Sequence, residues 1–134
     1  MHLADIAQLN SPQRTVRFDR DNLSIEDIVD IAQGRAAAVL SDDPEFRSAI
    51  ERGATFLDRL LREDGTIYGV TTGYGDSCTV TVPPELVPDL PHHLYTYHGV
   101  GLGEYFTPAQ SRAILASRLA SLSKGFSGVS VELL

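Results

Sequence analysis

The chain has 134 residues, enough for one ordinary domain with a hydrophobic core, and its 43% hydrophobic and 22% charged content is that of a globular protein. Its formal net charge of −7 opposes non-specific binding to nucleic acid or to an anionic membrane surface. No apolar stretch is long enough to cross a bilayer and no signal peptide is recognisable, so we predict a cytoplasmic protein without nucleic-acid or membrane partners.

The N-terminal part of the chain contains signals for one strand and one helix. Residues 1–15 show no apolar period, so we expect a loosely ordered segment. The alternation in Val16–Phe18 is typical of a short strand. Ser24, followed three residues later by Asp27, is a variant of the capping box, and Gly34 is a stop signal, so a helix of about ten residues is predicted between them.

The second predicted helix has the clearest periodicity. Asp43 can cap its N-terminus, and Pro44 suits its first position. The apolar residues that follow recur at helical spacing and must face a core: Phe46, Ala49, Ile50, Gly53, Leu57, Leu60 and Leu61. Asp64-Gly65 ends this helix and leads almost directly into the next segment.

A glycine-rich loop follows this helix, with the sequence Tyr68-Gly-Val-Thr-Thr-Gly-Tyr-Gly75. Glycine lacks Cβ, so it tolerates positive φ and lets the backbone approach a ligand closely. Loops carried by a rigid scaffold frequently hold functional residues. This loop therefore indicates either a catalytic or binding segment with two phenols, or a turn with two half-buried tyrosines.

The middle of the chain combines a strand signal with a short helix. Alternation in Cys78–Val82 predicts a strand that Pro83-Pro84 ends. The proline-rich stretch 84–91 is typical of a turn or a short 3-10 segment. Residues 92–98 begin as a helix, and the glycines that follow must end it.

The last predicted helix begins at Thr107-Pro108, where Thr107 and Gln110 form a second capping box. It ends at Lys124-Gly125. Residues 129–134 are largely apolar and contain no stop signal, which is typical of an interrupted element.

Three histidines, His92, His93 and His98, invite a metal-site interpretation. Their spacing matches no established ligand pattern, so we predict no metal site. The glycines from 99 to 103 are too few for the dinucleotide fingerprint. Ser77, His98 and Asp76 lack a nucleophile elbow, so no catalytic triad is predicted.

Two aromatic, glycine-rich loops remain, one with Tyr68 and Tyr74 and the other with Tyr97 and His98. Each follows a helix, so a fold can place them side by side. A tyrosine, with an ordinary pKa of about 10, acts as a base only where its phenolate is stabilised, and the backbone N–H groups of glycines can do this. The residues of these two loops are compatible with general-base chemistry, but they do not by themselves establish it.

Three ordered blocks carry a more specific signal. They are Tyr68–Gly75, the segment from His93-Leu94 to His98-Gly-Val-Gly-Leu-Gly-Glu104, and Arg112–Val129 with its Ser127-Gly128. Together they resemble the N-terminal part of the aromatic amino-acid ammonia-lyases, a family that includes histidine, phenylalanine and tyrosine ammonia-lyases and aminomutases.

The resemblance implies a mainly α structure with a few short strands (α+β), as in the N-terminal domain of the helical fumarase/aspartase-like fold. We therefore expect the loosely ordered segment 1–15, then an α+β domain at 16–106 that carries the loop tyrosine. Residues 107–134 would begin the long-helix central region. The family forms tetramers, so self-association is expected as well.

The resemblance also implies a lyase that removes ammonia from an L-aromatic amino acid to leave an arylacrylate. In this family the electrophile is 4-methylidene-imidazol-5-one (MIO), which forms from an Ala-Ser-Gly tripeptide, and a loop tyrosine removes the β-proton. Tyr68 matches that base, and Gly75 matches the loop glycine that approaches the cofactor. His98 and the neighbouring Tyr97 match substrate-selectivity positions, which favours a polar ring of histidine or tyrosine type.

The chain departs from the family pattern in one respect, because Ala-Ser-Gly does not occur in it. We therefore expect an N-terminal fragment that is inactive alone. Two alternatives remain open. One is a non-catalytic module that keeps the lyase platform as a binding or oligomerising surface, and the other is an aminomutase, which shares the chemistry and differs in the fate of the released ammonia.

Overall fold

A computed structural model of the protein describes residues 14–63 and 65–134. Residues 1–13 of the predicted loosely ordered segment, and Asp64, lie outside the described residues. The described chain is mainly helical with one two-stranded sheet, which confirms the predicted fold class. It divides into two compact units: the described residues up to Ala54 together with Tyr105–Leu134, and Thr55–Glu104. The domain limits predicted from the sequence stay a prediction.

A parallel pair of strands forms the sheet of the first unit. Strand β1 spans Arg14–Phe18, strand β2 spans Ala36–Leu40, and helix α1, Ile25–Ala32, connects them as a crossover. β1 begins two residues before the predicted strand. β2 is missing from the sequence-based prediction, because a continuous apolar run does not show the alternation that marks a half-buried strand.

Local hydrogen bonds explain where α1 begins. The Ser24 hydroxyl accepts the Asp27 N–H at 3.1 Å, and the Asp27 carboxylate accepts the Ser24 N–H at 3.0 Å. These two bonds confirm the predicted capping box. The guanidinium of Arg14 binds the carboxylates of Asp27 and Asp30, so ion pairs also connect β1 with α1.

Apolar side chains from the strands and two helices make the core of the first unit. Helix α4, Pro108–Leu122, packs against α1 and begins with the predicted Thr107 capping box. The Arg112 Nε donates to the Ala32 carbonyl at 2.8 Å. The Lys124 ammonium donates to the Arg20 carbonyl at 2.8 Å. One cluster of buried residues in this core consists of Val16, Phe18, Ile31, Ala36 and Ala116.

Helix α2, Pro44–Arg62, carries the chain from the first unit into the second. Phe46, Ala49 and Ile50 are buried, as the periodicity predicts. The predicted stripe continues in leucines that are only half-buried. Gly53 permits a close backbone contact, because a Cβ there would lie 2.8 Å from the Gly125 carbonyl oxygen.

The second unit contains helix α3, Leu90–His98, and two 3-10 segments, Gly75–Thr79 and Pro84–Asp89. The helix and the second 3-10 segment confirm the predictions for this region. The predicted strand at Cys78–Val82 is wrong, because within residues 14–63 and 65–134 these residues make no pairing beyond an isolated bridge between Thr72 and Thr81. Apolar and polar residues do alternate in this segment, but a stable strand needs a neighbouring strand of similar length to pair with.

The C-terminal residues form a short 3-10 turn, Val131–Leu133. Among the described helices, none is both long enough and apolar enough to cross a membrane.

Candidate functional site

The glycine-rich loop is shaped by hydrogen bonds that begin directly after α2. The Thr71 hydroxyl accepts the Ile67 N–H at 2.8 Å and donates to the Gly65 carbonyl at 3.1 Å. The Thr72 hydroxyl accepts the Gly69 N–H at 3.1 Å. Threonine side chains therefore anchor the peptide group that precedes Ile67 and the peptide group that follows Tyr68.

Tyr68 and Gly75, at the two ends of the loop, are in direct contact. The Gly75 N–H donates a hydrogen bond of 3.1 Å to the phenol oxygen of Tyr68. The Tyr68 side chain is otherwise open, with 65% of its surface exposed. Gly75 has a positive φ of +57°, and no atom lies within 4 Å of the position its Cβ would take. The loop thus presents a phenol oxygen that already accepts a backbone N–H.

Tyr74 packs against Tyr68 in an edge-to-face arrangement, with ring centroids 6.2 Å apart and an interplanar angle of 83°. Gly69 makes room for this ring. A Cβ at Gly69 would lie 2.7 Å from the Tyr74 Cε1, and the φ of +70° at Gly69 also disfavours other residues. At Gly73 a Cβ would lie 2.7 Å from the Ser77 carbonyl oxygen. Each of the three loop glycines thus has a physical reason, a clash at Gly69 and Gly73 and a positive φ at Gly69 and Gly75.

Tyr97 and His98 form the last turn of α3, with ring centroids 4.4 Å apart. The His98 Nδ1 lies 3.0 Å from the Leu94 carbonyl oxygen. A carbonyl oxygen only accepts, so Nδ1 must carry the proton, and the Nε2 of a neutral ring is then an acceptor. Within the described residues Nε2 has no hydrogen bond, so it is available to a donor on a ligand ring.

A small cavity of about 130 Å³ lies between the loop and α3. Sites for whole small molecules measure roughly 300–1,000 Å³, so this cavity can receive only part of a ligand. Tyr74, whose ring packs against Tyr68, lines this cavity. Tyr97, whose ring packs against His98, lines it as well. The complete lining is Gly73, Tyr74, Ser77, Leu90, His93, Leu94 and Tyr97.

The structure thus groups the four predicted site residues into two pairs, Tyr68 with Gly75 and Tyr97 with His98. In the part of the chain that the structure describes, no hydrogen bond or ring contact joins Tyr68 to Tyr97 or His98. Tyr74 connects the pairs indirectly, since it contacts Tyr68 and lines the cavity with Tyr97. Tyr74 and Thr72 are absent from the predicted site, because their contacts arise only when the loop is folded.

The histidines of α3 do not gather into a metal site. His92 and His93 have ring centroids 6.3 Å apart, and His92 packs edge-on against Tyr95. Among residues 14–63 and 65–134 there is no cluster of three or more side chains of the metal-binding types.

Comparison with known proteins places this loop and helix in a family. The profile of the family described as aromatic amino acid lyase matches residues 23–134. Histidine ammonia-lyase of Caenorhabditis elegans is 40% identical over 124 residues, which are 92% of this chain and 18% of that protein.

Two solved structures are similar to this chain in fold and in sequence. Tyrosine aminomutase from Streptomyces globisporus superposes with a TM-score of 0.80 at 30% identity, covering 90% of this chain and 22% of that one. The ergothioneine-degrading ergothionase of Treponema denticola superposes with a TM-score of 0.78 at 25% identity, covering 89% of this chain and 24% of that one. The chain therefore spans about a fifth of the length of the proteins it matches, in their N-terminal part.

Proposed function

Since this chain belongs to the aromatic amino acid lyase family, we propose that it supplies the base-bearing loop of an enzyme that eliminates ammonia from an L-aromatic amino acid. In this proposal Tyr68 removes the β-proton, and the product is an arylacrylate. The observation that carries the proposal is the hydrogen bond of 3.1 Å from the Gly75 N–H to the phenol oxygen of Tyr68.

The chemistry requires an oxygen that can hold negative charge and then take a proton from carbon. A fixed backbone N–H that points at this oxygen stabilises the anion, and it does so without reorganisation during the reaction. The Gly75 amide is such a donor. Tyr68 is also largely exposed, so its oxygen can reach a substrate that arrives from outside the loop. Geometry and exposure thus both suit a general base.

The substrate ring is assigned to the end of α3. The Nε2 of His98 can accept a hydrogen bond from a phenol O–H or an imidazole N–H, whereas a plain phenyl ring offers no donor. Tyr97 lies beside His98 and lines the cavity next to the loop. These two residues favour a substrate of histidine or tyrosine type.

The MIO electrophile of the family needs an Ala-Ser-Gly tripeptide, and this tripeptide does not occur among the 134 residues. The chain therefore lacks the residues that would form the group. We expect the 134 residues alone to be inactive.

An aminomutase is the second candidate, and it is favoured by the superposition on tyrosine aminomutase. A lyase releases an arylacrylate and ammonia, whereas an aminomutase returns the amino group to the neighbouring carbon. Chromatography of the products formed from a single L-amino acid distinguishes a β-amino acid from an arylacrylate.

We also propose that the full-length protein is a homotetramer in the cytoplasm. Leu102 and Tyr105 are almost fully exposed, and Phe126 is largely exposed, which suits a chain whose apolar surface is covered on assembly. The one cysteine, Cys78, is free and exposed, as a reducing compartment allows. Sedimentation velocity of the full-length protein tests the tetramer.

The central experiment measures the release of arylacrylate by its ultraviolet absorbance, with the full-length protein and with L-histidine or L-tyrosine as substrate. Tyr68→Phe removes the base and should lower kcat by roughly 10²–10⁴-fold. Tyr74→Phe is the matched control, because it deletes a second phenol oxygen from the same loop and keeps the ring that packs on Tyr68. Near-normal turnover of Tyr68→Phe would remove Tyr68 from the mechanism.

A further inference from the structure

Thr72 is the one buried residue among the described residues of the second unit. Its exposed fraction is 2%, and no other residue among those described in 55–63 and 65–104 is buried. The apolar core residues all belong to the first unit. A unit without a buried apolar core must hold its loop by other means, and here a threonine hydroxyl occupies the enclosed position.

The Thr72 hydroxyl uses both of its hydrogen-bonding functions inside the loop. It accepts the Gly69 N–H at 3.1 Å and donates to the Gly73 carbonyl at 3.0 Å. Its backbone is held as well, because Thr72 forms an antiparallel bridge with Thr81. The adjacent bonds run from the Gly73 N–H to the Val80 carbonyl at 3.0 Å and from the Val82 N–H to the Thr71 carbonyl at 2.9 Å.

We propose that Thr72 is a positioning residue, which holds the phenol oxygen of Tyr68 on the Gly75 amide by fixing the peptide group that follows Tyr68. This inference rests on the proposed function of Tyr68. Thr72 does not touch the reacting atoms in this assignment, and it acts through the loop backbone.

The geometry explains why one hydroxyl has this effect. The contact between Tyr68 and Gly75 closes a loop of eight residues, and the Thr72 hydroxyl lies inside that loop. The Gly69 N–H belongs to the peptide that sets the ψ angle of Tyr68, so its anchor determines the direction in which the phenol leaves the backbone. The Gly73 carbonyl is two residues before Gly75. The Thr72 hydroxyl oxygen therefore links the peptide that follows Tyr68 to the segment that leads to Gly75.

Thr71 provides the contrast within the same loop. Its hydroxyl anchors the Ile67 N–H and the Gly65 carbonyl, both of which precede Tyr68. Loss of that hydroxyl frees the entrance of the loop, whereas loss of the Thr72 hydroxyl frees both the Tyr68 peptide and the segment that carries Gly75. Displacement of a catalytic group by about 1 Å can lower turnover by roughly a hundredfold.

The test compares Thr72→Ser with Thr72→Ala in the full-length protein, with an L-aromatic amino acid as substrate. Both variants lose the methyl group, and they differ only in the hydroxyl oxygen. We expect Thr72→Ser to keep kcat within about threefold of wild type and Thr72→Ala to lower kcat roughly ten- to a hundredfold, with little change in KM. Thr79→Val is the control, because it removes an exposed hydroxyl from the neighbouring 3-10 segment.

The outcomes separate this inference from the proposed function. Equal kcat values for the Ser and Ala variants, while Tyr68→Phe is inactive, would overturn the role of Thr72 and leave that of Tyr68 standing. An active Tyr68→Phe variant would overturn both. If Thr72→Ala does not fold, Thr72→Val is compared directly with wild type, because valine replaces the threonine hydroxyl with a methyl group of similar volume. A lowered melting temperature with an unchanged kcat of the folded enzyme would show a structural role only and also overturn the inference.

Discussion

The backbone amide of Gly75 donates a hydrogen bond of 3.1 Å to the phenol oxygen of Tyr68, seven residues earlier in the chain. The bond depends on the backbone at Gly75, whose φ is +57°. In this left-handed region a residue with a Cβ is strained. The position of the donor is therefore coupled to the identity of residue 75, although a glycine side chain makes no contact of its own.

Gly75→Ala should destabilise the observed loop conformation through backbone strain alone. There is open space for a Cβ at this position, so no clash contributes. The strain is about 1–2 kcal/mol, which corresponds to roughly a five- to thirtyfold loss in the population of this conformation. We expect kcat to fall by a similar factor in the full-length protein.

Gly75→Asn is the matched variant, since asparagine visits the left-handed region more readily than alanine and keeps the N–H. It should retain more activity than Gly75→Ala. If both variants are equally impaired, the φ angle is not the cause, and the close approach of a ligand to the backbone is the better explanation.

Gly69→Ala should displace the Tyr74 ring from Tyr68. The new Cβ would lie 2.7 Å from the Tyr74 Cε1, and it adds strain at a φ of +70°. Removal of the ring by Tyr74→Ala relieves the first effect but not the second. A double-mutant cycle measured by thermal unfolding should therefore show that Gly69→Ala costs less stability in the Tyr74→Ala background, by about 0.5–3 kcal/mol. Additive effects would mean that the ring moves away without cost.

Local signals in the sequence predict the helices well. The capping boxes at Ser24 and Thr107 involve residues three apart, and both occur in the structure as predicted. The strands depend on distant partners. Ala36–Leu40 becomes a strand because it pairs with β1, whereas Cys78–Val82 has the strand pattern and forms a single bridge. Pattern alone cannot tell which segment finds a partner.

In the candidate site, too, some residues could be predicted from the local sequence and others depend on the folded structure. Tyr68 and Gly75 could be named from the sequence, because an unusual loop and a family resemblance coincide there. The roles of Thr72 and Tyr74 could not be. The burial of Thr72 follows from its bridge with Thr81, and the position of the Tyr74 ring follows from the backbone at Gly69. Both are consequences of the folded loop rather than of residue type.

Gly53→Ala should destabilise the first unit, although alanine is the better helix former. Alanine in the middle of a helix gains about 0.5–1 kcal/mol over glycine. At this position the Cβ would lie 2.8 Å from the Gly125 carbonyl oxygen, a backbone atom that cannot turn away. Such overpacking costs about 1–3 kcal/mol, so the clash outweighs the helical gain. Differential scanning fluorimetry should show a lower melting temperature.

Gly101→Ala is the control for this experiment, because no atom lies within 4 Å of its Cβ position and its φ is not positive. It should leave the melting temperature nearly unchanged. A stabilised Gly53→Ala variant would show that α2 and the Gly125 segment separate easily.

Acid should weaken the connection between β1 and α1. The N–H and hydroxyl of Ser24, followed by the guanidinium of Arg14, hold the pKa of Asp27 below its ordinary value of 3.8. A lowered pKa in the folded state means that the stabilisation is complete above the unfolded pKa and is lost as the pH falls through the folded one. The loss of stability from this residue is therefore expected below a pH of 3.8.

Asp27→Asn removes this titration. The variant should be less stable than wild type near neutral pH, and the difference should shrink as the pH falls below 3.8, where the wild-type carboxyl also becomes neutral. Thermal unfolding at a series of pH values measures the difference. Asp42→Asn is the control, since the exposed Asp42 has no ion pair among the described residues. A stability difference that is constant over the whole pH range would contradict the assignment.

His98→Leu should shift substrate preference away from rings that carry a donor. The His98 Nδ1 is committed to the Leu94 carbonyl, so Nε2 is the atom that would accept from a phenol or imidazole. Leucine leaves that donor unpaired when the substrate is buried, at a cost of about 1–3 kcal/mol, or roughly a 5- to 150-fold loss of kcat/KM. L-Phenylalanine lacks the donor and should not suffer this loss.

His92→Leu is the matched control, because it exchanges a histidine of the same helix whose ring packs on Tyr95. The decisive measurement is the ratio of kcat/KM for L-tyrosine and L-phenylalanine, since an ordinary loss of stability lowers both values together. An unchanged ratio in His98→Leu would assign His98 to the structure of α3 rather than to the substrate.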